Sequence, residues 1–262
     1  MPKAFVHGVP ETSAIWGALV EKLEARGIGD ITLLTPPGFG APVPQGFEPI
    51  QSNYREWLIA ELEALGGNVD LVGHDWGAGH VFGALASRPD LIRSWATDSA
   101  GLMHVDYEWH DMAQAFQTPD AGEQAVAAIT GGTPADRAAL LTGFGVPSGT
   151  AELVSAGQNE DMARCILALY RSAVQPAMAD LSRRLAETEQ RPGLIFIPTE
   201  DHFVGTEQMY AEVATALGAK ALTLQDFNHW WMFGEGAAIA ADALIAHWSA
   251  AADRVSRRTD TT

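Results

Sequence analysis

The residues best suited to chemistry fall in a few short segments. In Val69-Asp70-Leu71-Val72-Gly73-His74-Asp75-Trp76-Gly77-Ala78, a strand pattern enters Gly-x-Asp-x-Gly and a helical pattern follows at once. A strand turning this sharply into a helix strains the residue at the turn and exposes its side chain. The flanking glycines remove side chains that would strike neighbouring backbone. Asp75 is therefore read as a nucleophile rather than a helix cap, and the helix N-terminus behind it favours the ionised form. Late in the chain, Asp226-Phe227-Asn228-His229-Trp230-Trp231 sets His229 on the loop after the last strand pattern. Ligand chemistry in open α/β sheets sits at the carboxyl ends of strands, so His229 is the candidate general base. His74 lies inside the turn, and His80 and His247 fall on helices. An acid that orients the base is available as Glu200 or Asp201, just past Ile195-Phe196-Ile197, with Asp98, past Trp95-Ala96-Thr97, as a rival. His7-Gly8-Val9-Pro10 ends the first strand pattern. Loops of this kind aim an amide at the reacting centre, and the amide after the nucleophile supplies a second; here these are Val9 and Trp76. His7 itself is read as a loop histidine held by hydrogen bonds.

These residues need elements to hold them. Ala4–Val6, Ile31–Thr35, Val69–Val72, Trp95–Thr97, Leu194–Ile197 and Ala221–Leu224 are short and mostly uncharged, as expected of parallel strands buried on both faces. Amphipathic helical patterns separate them: Ile15–Arg26, Tyr54–Leu65, Gly79–Ser87, Gln208–Leu217 and Ala237–Trp248. The alternation predicts an α/β fold with a doubly wound, mainly parallel sheet. From Asp98 to Gly193 no strand pattern appears, far more chain than the roughly 30 residues of a complete strand–helix–strand unit. That interval, with a helical pattern over Glu160–Arg171, predicts an inserted helical cap. The expected division is a core of residues 1–103 and 185–252, a cap of residues 104–184 and a polar tail over 253–262.

Composition narrows the function classes. The 262 residues are 47% hydrophobic and 19% charged, a globular balance. Asp and Glu number 33 against 16 Lys and Arg, a net charge of −17. Phosphate backbones and anionic lipid repel such a surface, so neither nucleic acid nor membrane is an expected partner. Cys165 is the single cysteine, which excludes an internal disulfide and a cysteine zinc cluster. No apolar run approaches the ~18 residues of a membrane span and no basic-then-apolar leader is visible, so a cytoplasmic protein is expected.

Taken together, His7–Pro10, Gly73–Gly77, Thr199–Val204 and His229 resemble the α/β-hydrolase superfamily, in its branch of epoxide hydrolases and haloalkane dehalogenases. The resemblance covers almost the whole chain, although a leading β-hairpin is missing and the cap matches only in part. It implies Asp201 rather than Glu200 as the acid, while some branch members use the position where Asp98 falls. Aspartate in the turn narrows the reaction. Attack on an ester would give a labile anhydride, whereas attack on sp³ carbon gives an alkyl ester of Asp75. Water activated by His229 then attacks the ester carbonyl, whose oxyanion meets the Val9 and Trp76 amides. No metal or organic cofactor is needed. The substrate expected is small and apolar. Epoxide opening requires an acidic donor, and the resemblance implies Tyr170, in Leu169-Tyr170-Arg171, with His110 or Tyr107 as a second group. Halide release would instead use the Trp76 and Trp109 indoles. Epoxide hydrolysis is the leading expectation, dehalogenation the alternative, and a non-catalytic binding protein on the same fold the reading from another class.

Overall fold

A computed structural model describes residues 1–259. Six strands, β1 (Lys3–Val6), β2 (Ile31–Leu34), β3 (Val69–Gly73), β4 (Ile92–Thr97), β5 (Gly193–Pro198) and β6 (Lys220–Leu224), form one sheet in the order β2-β1-β3-β4-β5-β6. Every pairing between them is parallel, with Val6 opposite both Leu34 and Gly73. The strand alternation sorts side chains onto two faces. Ala4, Val6, Leu71, Trp95 and Ile195 pack with α2 (Gln51–Ala64), α3 (Trp76–Ser87) and α10 (Glu207–Ala216). Phe5, Val72, Ala96, Leu194 and Phe196 face the other way, against α1 (Gly17–Glu24) and α11 (Gly234–Thr259). The fold is that of the α/β hydrolases, doubly wound as the sequence implies.

Strand β4 starts at Ile92, earlier than the apolar run Trp95–Thr97 suggests. Arg93 and Ser94 are accommodated because both donate to the buried Asp70 carboxylate on β3. A polar residue inside a sheet is tolerated when its partners are supplied. Helix α3 starts at Trp76 rather than Gly79, since Asp75 occupies its N-cap.

Between β4 and β5 the chain forms only helices: α4 (Asp111–Gln117), α5 (Ala121–Thr130), α6 (Pro134–Gly143), α7 (Ser148–Gly157), α8 (Glu160–Ser172) and α9 (Ala177–Glu187). Thr133 closes a capping box with Asp136 at the head of α6, so the Gly131–Pro134 loop ends in a helix start. Residue 185 falls inside α9, where Leu181 and Leu185 are buried, so no chain boundary interrupts the structure there. Helix α11 continues to Thr259, carried through Ala250, Ala251 and Ala252, because extending a formed helix costs far less than nucleating one. Residues 260–262 lie outside the described residues. No described helix is long and apolar enough to cross a membrane.

Candidate active site

Asp75 joins β3 to α3 at φ 52° and ψ −123°, a conformation that non-glycine residues avoid. Two glycines make the turn possible. A Cβ on Gly77 would lie 2.2 Å from the Val6 carbonyl oxygen, and one on Gly73 2.8 Å from that of Gly77. The Asp75 side chain does not cap α3; its Oδ1 accepts the Val9 amide at 2.7 Å. Burial pushes the carboxyl up to about 6, against the opposing pull of His229 and His74.

The loop after β6 brings His229 to this carboxylate, with Nε2 3.8 Å from Asp75 Oδ2. On the far side of the ring, His229 Nδ1 donates to Asp201 Oδ2 at 2.8 Å. Asp201 Oδ1 accepts the Phe203 amide, which fixes the carboxylate plane. Burial would lower the imidazole's pKa, but the Asp201 charge and hydrogen bond outweigh it and the pKa is raised. Burial likewise opposes ionisation of Asp201, yet the charge on His229 holds its carboxyl below the usual range. Glu200 is exposed and turns away.

Asp98 does not face His229. It accepts the Asp75 backbone N–H at 3.0 Å, the Trp231 indole at 2.6 Å and His74 Nδ1 at 2.5 Å. Nor does it tie the strand end to the inserted helices; its three partners belong to the turn at Asp75 and the loop after β6. Trp231 thus packs beneath the site, while Trp230 forms part of its wall.

Asp75 and His229 open onto a cavity with about 50 Å³ of room, a few water volumes. Apolar side chains of the inserted helices, among them Met112, Phe116, Ile129, Leu141 and Ile166, make up much of its wall. Tyr170 and His110 line it as well. The Tyr170 phenol is buried, and that burial together with the Asp75 charge holds it well above its ordinary value. His110 caps α4, its Nδ1 accepting the Ala113 amide, so the proton sits on Nε2. Tyr107 is elsewhere: its hydroxyl donates to the Phe203 carbonyl, and it does not line the cavity. Trp76 and Trp109 stack on each other 5.7 Å apart, and neither indole forms part of the wall.

Glu11 is the residue that sequence reasoning missed. It is fully buried and accepts the Trp230 indole at 2.5 Å, His74 Nε2 at 3.3 Å and the Gly8 amide at 3.3 Å. Its place directly after His-Gly-x-Pro was the available signal. Ring or carboxylate atoms of Glu11, His74 and His229 lie within 4.8 Å of one another. The donor set does not suit a metal ion, because His74 Nε2 is already committed to Glu11 and Nδ1 to Asp98.

The description "Alpha/beta hydrolase family" belongs to a family model that matches residues 4–243. The chain is a member of the alpha/beta hydrolase family. Among solved structures, this hydrolase is similar to a loop variant of the haloalkane dehalogenase DbeA from Bradyrhizobium elkanii. The identity is 21% over 96% of this chain and 91% of that one, with a TM-score of 0.72. It is also similar to a bromoperoxidase from Bacillus anthracis, 19% identical over 95% of this chain and 91% of that one, with a TM-score of 0.69. A mutant of the haloalkane dehalogenase DatA from Agrobacterium tumefaciens C58 shows 20% identity over 94% and 88% of the two chains, with a TM-score of 0.70. At these identities the likeness concerns the fold of this α/β hydrolase. No curated protein sequence matches it.

Proposed function

We propose that this α/β hydrolase opens a small apolar epoxide to a diol through an alkyl ester of Asp75. Oδ1 is held by the Val9 amide, which leaves Oδ2 as the attacking atom. Attack on a ring carbon forms the C–O ester bond and breaks the C–O bond of the epoxide, and the leaving oxygen takes a proton from Tyr170 while the Nε2–H of neutral His110 donates a hydrogen bond to it. His229, steadied by Asp201, then removes a proton from water as the water adds to the ester carbonyl. The Val9 amide already touches the oxygen that becomes the oxyanion, and the Trp76 amide is the second donor. On collapse His229 returns its proton to the departing ester oxygen, which releases the diol, and the proton left on the Asp75 carboxyl passes back to the Tyr170 oxygen, which regenerates the carboxylate. In this reading the inserted helices act as a cap that carries the acid donors.

One observation carries the choice of epoxide: the phenol of Tyr170, able to give a proton to oxygen, and the hydrogen-bond donor His110 share an apolar cavity with Asp75 and His229. The small cavity supports a small substrate. A second reading, halide displacement from a haloalkane, draws on the Trp109 indole N–H, which among the described residues is buried without a partner against Trp76 and would have to turn into the cavity to meet a halide. Turnover of matched panels of small epoxides and haloalkanes, read as diol and halide release, tests the proposal. Tyr170→Phe should reduce epoxide turnover by about 10²-fold or more, as expected for loss of a general acid, with little change in Tm. Halide release that outruns diol formation would transfer the assignment to dehalogenation.

A further inference from the structure

His74 lies directly behind the base, its ring centroid 4.6 Å from that of His229. Both of its ring nitrogens face carboxylates: Nδ1 meets Asp98 at 2.5 Å and Nε2 meets Glu11 at 3.3 Å. An ionised carboxylate only accepts, so both nitrogens must carry protons. The ring is then an imidazolium, buried completely between two carboxylates that are themselves buried. This is a costly arrangement unless each partner is retained.

Its surroundings explain what the charge does. Four carboxylates crowd this part of the molecule: Glu11 from the loop after β1, Asp75 from the turn into α3, Asp98 after β4 and Asp201 after β5. His7, from the same loop as Glu11, is buried and held neutral by that burial, with a pKa of about 4. His110 at the head of α4 is also neutral near pH 7, burial lowering it to about 4. His74 is thus the standing positive charge among these groups. Without it, mutual repulsion would drive a proton onto one of the acids or onto His229.

We infer that Glu11, His74 and Asp98 form a charge-setting and positioning unit, in which the imidazolium of His74 biases the neighbouring base toward its neutral form and the nucleophile toward its ionised form, while Glu11 opposes it and links it to the cavity wall through Trp230. The inference rests on the reading of Asp75 as nucleophile and His229 as base. None of the three touches substrate; they act through their neighbours, so these are positioning residues. The two members closest to His229 act with opposite sign. Removing the His74 charge takes a cation from beside His229 and raises the midpoint at which His229 titrates. Removing the Glu11 charge takes away an anion within 4.8 Å and lowers it. A unit charge about 5 Å away at an effective dielectric constant near 20 is worth up to about two pH units. The carboxylates flanking His74 offset part of this, leaving about one.

Ring ¹⁵N NMR on histidine-labelled protein tests this without relying on turnover. In the parent chain both His74 N–H signals should persist well above pH 7 while His229 titrates. The His229 midpoint should rise by about one pH unit in His74→Gln and fall by about half a unit in Glu11→Gln. If His74→Gln fails to fold, Glu11→Gln still decides, because it keeps the cation and carries the opposite sign. A His74 ring that loses a proton near its ordinary pKa, or a His229 midpoint that is unmoved or moves upward in Glu11→Gln, would overturn the inference. The acid limb of epoxide turnover should follow the NMR midpoints in direction. Midpoints that move while the acid limb stays fixed would instead refute His229 as the base and leave the charge-setting unit standing.

Discussion

Gly8→Ala is the sharpest mechanical probe of the site. A Cβ at Gly8 would lie 2.1 Å from Asp75 Oδ1, 2.4 Å from Asp75 Cβ and 2.6 Å from Cγ. Ordinary carbon contacts begin at about 3.5 Å, so something must give way by more than about 1 Å. One outcome is that the carboxylate swings and breaks its 2.7 Å bond to the Val9 amide. In the other, the loop after β1 retreats and carries that amide away. Either way Asp75 is misplaced and, in the proposed mechanism, the ester carbonyl loses a donor. A displacement of this size costs about 10²-fold and a lost oxyanion donor about 10²–10³-fold. The two losses share one cause, so kcat/KM should fall about 10³-fold. Overpacking adds about 1–3 kcal/mol of destabilisation, which a thermal melt reads as a drop of several degrees in Tm. Gly149→Ala, where a Cβ meets nothing within 4 Å, is the control and should leave both quantities near the parent values. A Gly8→Ala protein with parental kcat/KM and Tm would refute the claim that the Val9–Asp75 contact organises the site.

The two acids should separate by kind of damage. In Asp201→Asn the side-chain oxygen can still accept the Phe203 amide, while the amide nitrogen faces His229 and favours the wrong tautomer. Turnover should fall about 10⁴-fold with Tm little changed, whereas Asp98→Asn should cost about 3–5 kcal/mol of stability by breaking a buried charged network; kinetics and melts on both variants check the assignment. Asp75→Asn should abolish turnover yet stabilise the fold at pH 7. The folded carboxyl is raised to about 6 from its ordinary value of 3.8, so its contribution to stability is lost as pH rises through that window. Removing the charge should therefore recover about 2–3 kcal/mol above pH 6 and almost nothing near pH 4, as denaturant melts at the two pH values would show.

How much of this was legible in the sequence depended on how local each signal is. The turn at Asp75 was readable because its constraints are covalent neighbours: Gly73 and Gly77 are required by backbone packing within a few residues. The inner strands β1, β3, β4 and β5 were readable because burial on both faces keeps them largely apolar, whereas the edge strands β2 and β6 are partly open to solvent and showed only as short runs with little charge. Choosing between Asp201 and Asp98 needed side-chain directions. Both acids follow adjacent parallel strands, and only the folded loops show that Asp201 reaches His229 while Asp98 takes His74. Glu11 was missed for a related reason, its place after His-Gly-x-Pro being the one signal. A glutamate after a proline has the character of a surface residue until Gly8, His74 and Trp230, from three separate segments, converge on it as donors. The helices α4 to α7 and α9 escaped individual notice because they follow one another with no strand between them, whereas α10, equally short, is bracketed by β5 and β6.

The central claim is that Asp75 carries the substrate as an ester. His229→Gln keeps the cavity and removes the base, so ester formation should proceed while its hydrolysis stalls. Mixing this variant with a small epoxide that the parent enzyme turns over, followed by intact-protein mass spectrometry and peptide mapping, should show a mass gain equal to that of the epoxide on the peptide containing Asp75. No adduct in a variant that still consumes the epoxide, or an adduct on a peptide without Asp75, would contradict the account.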